Sequence, residues 1–377
     1  MKLSNNRWLR AATICLMIGC LWLLSSCAKT TKKETPPRPP QQVLNDGTNV
    51  SPSIYRTDEF YQKLTKAYPG LKSLLDRDSR PDSFAIPGLD QTLTLSMGHP
   101  ARLSTSRQMD PQGLAITDKY IIISAYSRDH YHHSVLYVQS KKTGLHVKTI
   151  VLPGDSHVGG LAYDPLNRRL WIATKRKHHA ALAALDEANL DHDNFAKSRR
   201  AVAYDAMVLL PMLADASYLA YHDNQLSVGY FDKNAAGTLI DLPITATGQI
   251  IAPTAIATNS VRHFYTEKDI QGISYYKNYL IFSQSYGAQD SKLLVFKNPD
   301  NHGDIDLDRD EVIASVNLPP YLEQIKTIGP DIYLLFESAS LRYRDTFKGF
   351  HADHVFKIKF AELLKQGTSA TTKNQRQ

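Results

Sequence analysis

Gly159-Gly-Leu-Ala-Tyr163, a polar turn at Pro165-Leu166-Asn167, then Arg169-Leu-Trp-Ile-Ala-Thr174 is the stretch on which the fold turns. Two short runs rich in aliphatic and aromatic residues, split by turn formers, read as a β-hairpin. The same hairpin recurs on both sides. Gln112-Gly-Leu-Ala-Ile precedes Tyr120-Ile-Ile-Ile-Ser-Ala, and Ser217-Tyr-Leu-Ala-Tyr precedes Gln225-Leu-Ser-Val-Gly-Tyr. Gln271-Gly-Ile-Ser-Tyr precedes Tyr279-Leu-Ile-Phe-Ser-Gln, and Glu323-Gln-Ile-Lys-Thr precedes Asp331-Ile-Tyr-Leu-Leu-Phe. The starts are 47, 58, 54 and 52 residues apart.

Weaker strands follow each hairpin. Ser134–Gln139 and His146–Leu152 complete the first unit, and Ser291–Phe296 and His354–Phe360 fit the third-strand slot of later ones. Four strands at this period predict an all-β fold, a β-propeller of five four-stranded blades. A sixth blade would require dividing 176–214, which is read here as one blade with an insertion. The fifth unit lacks a fourth strand, and Gln91–Met97 is the segment expected to supply it. The repeated Gly-Leu/Ile-Ala/Ser-Tyr strand starts resemble secreted bacterial propellers of the lactonase and NHL-like kind, over roughly 110–345. That resemblance implies a fold and only weakly an activity.

Outside the repeats, the chain divides into a leader, a spacer, a helical segment and a tail. Residues 1–26 carry Lys2, Arg7 and Arg10, then an apolar stretch from Ala11 to Leu24. This is the layout of a secretory signal, and the stretch is shorter than the ~20 residues of a spanning helix. Leu24-Ser25-Ser26-Cys27 resembles the bacterial lipobox, which implies a lipid on Cys27 and an extracytoplasmic, membrane-anchored protein. All three cysteines lie in this leader, so a mature chain beginning at Cys27 has no disulfide, zinc–thiolate site or cysteine nucleophile. Residues 27–52, with Pro36-Pro37-Arg38-Pro39-Pro40, predict a flexible stalk. Helical spacing of Phe60, Leu64, Tyr68, Leu71 and Leu75 predicts one or two short helices within 53–83. The propeller is assigned to 84–360, and a disordered tail to 361–377.

The net charge is +7, but residues 1–50 hold seven Lys/Arg against Glu34 and Asp46, which is +5 of it. A basic run beside a lipid suits an anionic membrane surface rather than nucleic acid. A monomer is expected.

Propeller geometry brings the residues before each first strand and after each second strand to one channel mouth. That places Asp110, His157, Asp215, Asp269 and Glu323 together with Tyr126, Lys175, Tyr230, Ser283, Ser285 and Glu337, and Gln112 and Gln271 add amides. Three chemistries suit such a set. Tyrosines and loop cations could hold a carbohydrate or an anionic wall polymer. Paired carboxylates such as Asp110, Asp215 and Glu323 could hydrolyse a glycoside, and carboxylates with His157 could hold a divalent cation for a lactonase-like reaction. A polar face is also what any exposed propeller mouth shows. Gly-x-Ser-x-Gly, His-Glu-x-x-His and phosphate-loop patterns are absent, so ligand binding is placed ahead of hydrolysis.

Asn298, Asp300, Asp304 and Asp306 follow part of the EF-hand spacing and make a Ca²⁺ candidate. His302 and Arg309 depart from it. Asp186, Asp191 and Asp193 form a weaker analogue. The pairs His132/His133 and His178/His179 cannot chelate as pairs on a strand, where neighbours point to opposite sides.

Overall fold

A computed structural model describes residues 42–43, 49–98, 100–251, 262–300 and 303–366. The leader, Cys27 and most of the stalk lie outside them. Five blades, each of four antiparallel strands, follow one another along the chain, and blade 3 carries a fifth, parallel strand at its edge. Blade 1 is Met109–Ile116, Tyr120–Ser127, Val135–Ser140 and His146–Val151. Blade 2 is Leu161–Asp164, Arg169–Arg176, His179–Asp186 and Ala206–Leu209, with Glu187–His192 and Phe195–Ser198 as a helical insertion. The stretch 176–214 is thus one blade's outer half. Blade 3 is Tyr218–His222, Gln225–Gly229, Gly237–Pro243 and Arg262–Thr266. Blade 4 is Ile270–Tyr276, Tyr279–Gln284, Ser291–Lys297 and Ala314–Leu318. Blade 5 takes Leu322–Ile328, Asp331–Phe336 and His354–Lys359 from the C-terminal end. The inner strand of each blade lies against the next, and the fifth lies against the first.

The fourth strand of blade 5 corrects one expectation. It is Ser83–Ala85, paired antiparallel with His354–Phe356, not the segment around 91–97. Thr92–Leu95 instead pairs with Leu103–Ser106 in a separate sheet that also contains Gln42–Val43 and Asn49–Val50. The hydroxyl of Thr92 explains the difference locally. It is fully buried, donates to the Gly88 carbonyl at 3.0 Å and meets the Tyr137 hydroxyl on blade 1. This satisfies a polar side chain against blade 1 rather than blade 5.

The helix Thr57–Ala67 and the single turn Pro69–Leu71 realise the expected helical spacing. Their Phe60, Leu64 and Leu71, with Leu74, are buried against Ile281 and Leu293 of blade 4 and Leu334 and Phe356 of blade 5. The segment is therefore a strap across two blades. Behind it, Asp76 and Lys357 form a buried ion pair at 3.2 Å, with Ser79 bonded to both. At the other end residues 360–366 are helical, so the segment assigned to a tail begins inside a helix. Among the described residues no helix is long and apolar enough to cross a membrane.

Turn chemistry follows the sequence. Asp223 and Asn224, with φ of 44° and 59°, make the two-residue turn of blade 3, and Lys177 and His178, with φ of 49° and 68°, make that of blade 2. Positive φ at both central residues is the hairpin turn whose twist matches the strands.

Candidate functional site

The repeated strand starts differ at two adjacent positions, and those two positions build the site. The first position is Gln112, Gly159, Ser217, Gln271 and Glu323. The second is Gly113, Gly160, Tyr218, Gly272 and Gln324. Glycine at the second position lets inner strands approach closely. A Cβ on Gly160 would meet the Tyr218 and Leu219 backbone at 2.6 to 2.8 Å. In blades 1, 4 and 5 the inner strand carries an extra residue at this point, between Pro111 and Leu114, between Ile270 and Gly272, and between Leu322 and Ile325. Such a bulge re-aims a side chain out of the ladder. Here it turns Gln112, Gln271 and Glu323 toward the axis.

These residues line one cavity of about 510 Å³ at the channel mouth. Gln112, Gln271, Glu323 and Glu337 lie in its depth, Tyr126, Phe231 and Tyr343 contribute aromatic walls, and Arg128, His130, His157, Lys175 and Asp215 complete the lining. All five blades or their leading loops contribute. Of the residues expected at the mouth, Gln112, His157, Lys175, Asp215, Gln271, Glu323 and Glu337 come together. Asp110 sits just beneath, fully buried, 3.5 Å from the Arg128 guanidinium.

The remaining mouth candidates are placed elsewhere. Tyr230 is half-buried and packs against the core of blades 2 and 3. Asp269, at φ 63°, holds a turn by donating its N–H to the Asp232 carbonyl and accepting from the Ser285 N–H. The buried Ser283 donates to the Glu323 carbonyl at 2.7 Å, so it positions Glu323 rather than lining the cavity. Ser124 does the equivalent job in blade 1, donating to the Val158 carbonyl and accepting from the Gly113 N–H.

One layer below the cavity, Gln324 fills the axis. Its Oε1 accepts from the Leu114 and Leu161 N–H groups at 2.7 and 2.9 Å, and its Nε2 donates to the Leu161 and Leu219 carbonyls at 2.6 and 2.9 Å. One amide from blade 5 thereby ties the inner strands of blades 1, 2 and 3 and closes the floor. The repeat alignment held the signal, since Gln324 stands where three other units have glycine.

The floor is electrostatically unusual. The Tyr343 hydroxyl donates to Glu337 Oε1 at 2.6 Å, and Gln112 Nε2 donates to Glu337 Oε2 at 2.9 Å. Glu323, 5 % exposed, is hydrogen-bonded to Glu337. Burial, then the neighbouring Glu337 charge, pushes the Glu323 carboxyl well above the carboxylate range. Burial, then the Asp110 charge, raises Glu337 to about 7. Asp110 is also raised by burial, against the pull of Arg128. Two carboxyls in contact cannot both ionise cheaply, so the pair holds a proton between them. Higher up, the Tyr126 ring meets His157 at 4.3 Å, and Lys175 is paired to Asp215 at 2.7 Å.

The described part of the acidic segment is divided between a loop and a strand. Gly303–Asp306 is a strand that adds in parallel to Arg262–Thr266 of blade 3. Asp304 and Asp306 are both exposed on it, and Asp304 bonds His263 at 3.1 Å. The Asn298 side-chain oxygen is taken by Arg262 at 2.8 Å. Asp300 lies in the loop before the strand, and His302 lies outside the described residues. Asp186 is paired to Arg169, and Asp191 to Lys119. Among the described residues no group of three His, Cys, Asp or Glu is arranged to hold a metal ion. The pair His132/His133 separates as expected: His132 bonds Asp129 and Ser104, while His133 bonds the Leu152 carbonyl.

No family model matches the sequence, and no curated protein matches it. Solved structures similar to this chain include a nidogen/laminin complex, at 13% identity over 67% of this chain and 84% of that one, with a TM-score of 0.36. The Dos1 propeller is similar at 11% identity over 64% and 56%, with a TM-score of 0.34. A protein of unknown function from Bacteroides thetaiotaomicron is similar at 12% identity over 74% and 69%, with a TM-score of 0.36.

Proposed function

We propose that this chain is a lipid-anchored extracytoplasmic propeller whose mouth cavity binds a carbohydrate. The observation that carries the reading is the convergence of polar side chains from every blade, beside three aromatic rings, on one cavity closed beneath by Gln324. Aromatic faces stack on sugar rings, and amide and carboxyl groups match hydroxyls. The cations near the mouth favour a sugar over an anionic polymer, because Lys175 and Arg128 already have the carboxylates of Asp215 and Asp110. Titrating the full chain with cell-wall oligosaccharides tests the reading. Tyr126→Ala and Gln271→Ala should each weaken binding about tenfold, roughly 1.4 kcal/mol; unchanged affinity in both would overturn it.

Hydrolysis is the second reading, favoured by a Glu337 carboxyl near 7, the range of a general acid. Against it, Glu323 and Glu337 are in hydrogen-bond contact, closer than the ~5 Å or more that separates the two carboxyls of glycosidases. New reducing ends on incubation with a bound oligosaccharide, lost in Glu337→Gln, would favour the hydrolase.

A further inference from the structure

We infer that the cavity is selective for an amine-bearing saccharide, whose ammonium group seats on the floor formed by Glu323, Glu337 and the Gln112 and Gln271 amides. The inference rests on the carbohydrate reading and names its ligand class.

The first support is a count of unused hydrogen-bonding capacity. Gln112 is 3 % exposed, and its Nε2 is spent on the Pro111 carbonyl at 3.0 Å and on Glu337 at 2.9 Å. Among the described residues no partner takes its Oε1. Gln271 directs its Nε2 toward the Ser285 carbonyl at 3.5 Å, and its Oε1 is likewise unpartnered. Both Glu337 oxygens already accept, and among the described residues the buried Glu323 carboxyl has Glu337 alone as its hydrogen-bond partner. What the floor offers a ligand is therefore acceptors. A group that only donates fills them best, and an ammonium has three donors and no acceptor.

The second support is charge. Asp110, Glu323 and Glu337 face one another from blades 1 and 5, and the cations that act on them are Arg128, bonded to Asp110 and near the Tyr126 hydroxyl at 3.4 Å, and the exposed Arg342, whose charge also favours the Asp110 carboxylate. The other titratable neighbours are Tyr126 and Tyr343, both raised by burial, His157, which desolvation lowers to about 4 and so keeps neutral at pH 6, and the exposed His130, bonded to Asp155. Lys175, paired to Asp215, belongs to the wall above. Three buried acids against two guanidiniums, one of them exposed, still leave a deficit of positive charge, met by a retained proton. A ligand ammonium would replace a proton: it bonds the carboxylate, and the proton held between Glu323 and Glu337 leaves to solvent. A neutral sugar displaces no proton, and a ligand anion is repelled. Tyr126, Tyr343 and Phe231 add rings whose faces attract a cation.

Calorimetry on the full chain at pH 6 in two buffers of different protonation enthalpy tests this. The probes are a glucosamine tetramer, its N-acetylated counterpart and cellotetraose. The glucosamine tetramer should bind at least tenfold more tightly than either neutral tetramer and release about one proton, read as a buffer-dependent enthalpy. Glu323→Gln and Glu337→Gln should abolish that release and reduce the preference to within about twofold. Neutral tetramers binding equally well, with no proton released, would overturn the inference and leave the carbohydrate reading standing. Binding of none of the three would overturn both.

Discussion

Gln324 and Glu337 carry the sharpest residue-scale consequences. Gln324→Leu keeps the volume and removes four hydrogen bonds, leaving the Leu114 and Leu161 N–H and the Leu161 and Leu219 carbonyls without that partner. Each buried group so orphaned costs about 1–3 kcal/mol, so a loss of at least 3 kcal/mol is expected in urea unfolding. Glu337 predicts a pH dependence. Its folded pKa, about 7, exceeds the ordinary 4.5, so the folded state holds a proton that the unfolded state releases. Stability from this group is full below 4.5 and lost as pH rises through 7, an effect of order 3 kcal/mol. Glu337→Gln should flatten the fall in Tm over that interval; an unchanged slope would refute the assignment. Individual roles were hard to see in the sequence because a bulge redirects them. Gln112 and Ser283 look equally exposed on a list of strand ends, yet one faces the cavity and the other braces a backbone.

At the scale of elements, the blades were legible because glycine-marked inner strands and turn residues repeat with nearly constant spacing. The closing strand was not. Ser83–Ala85 is three residues long and lacks the alternating apolar run that betrays longer strands, whereas Gln91–Met97 shows it plainly and pairs elsewhere. Fixing the short strand falls to its neighbours. Burial alone would raise Asp76, but hydrogen bonds from Ser79 and Lys357 and the Lys357 charge bring it to about 2. Stability from this pair is present above 3.8 and lost as pH falls through 2. Asp76→Ala leaves Lys357 buried without its counter-charge and should cost about 3–5 kcal/mol at neutral pH, measured by thermal or urea melts. Deleting 1–48 should leave the melting transition of the propeller in place. Deleting 1–88 removes strap and closing strand together and should abolish a cooperative melt.

For the whole molecule, the anchor and the mouth are separate claims with separate tests. Cys27→Ala should abolish lipid labelling and move the protein from the detergent to the aqueous phase, without changing saccharide affinity. Retained labelling would refute the anchor alone. The order of parts along the chain has a mechanical consequence. Any tug entering from the N-terminal side reaches the strap, Phe60 to Leu74, before it reaches Ser83–Ala85. A three-residue strand would peel under modest tension, but the strap grips blades 4 and 5 through buried rings and leucines and takes the load before that strand does. The strap thus works as the strain relief on a cable works, letting the far end be pulled while the joint behind it stays slack.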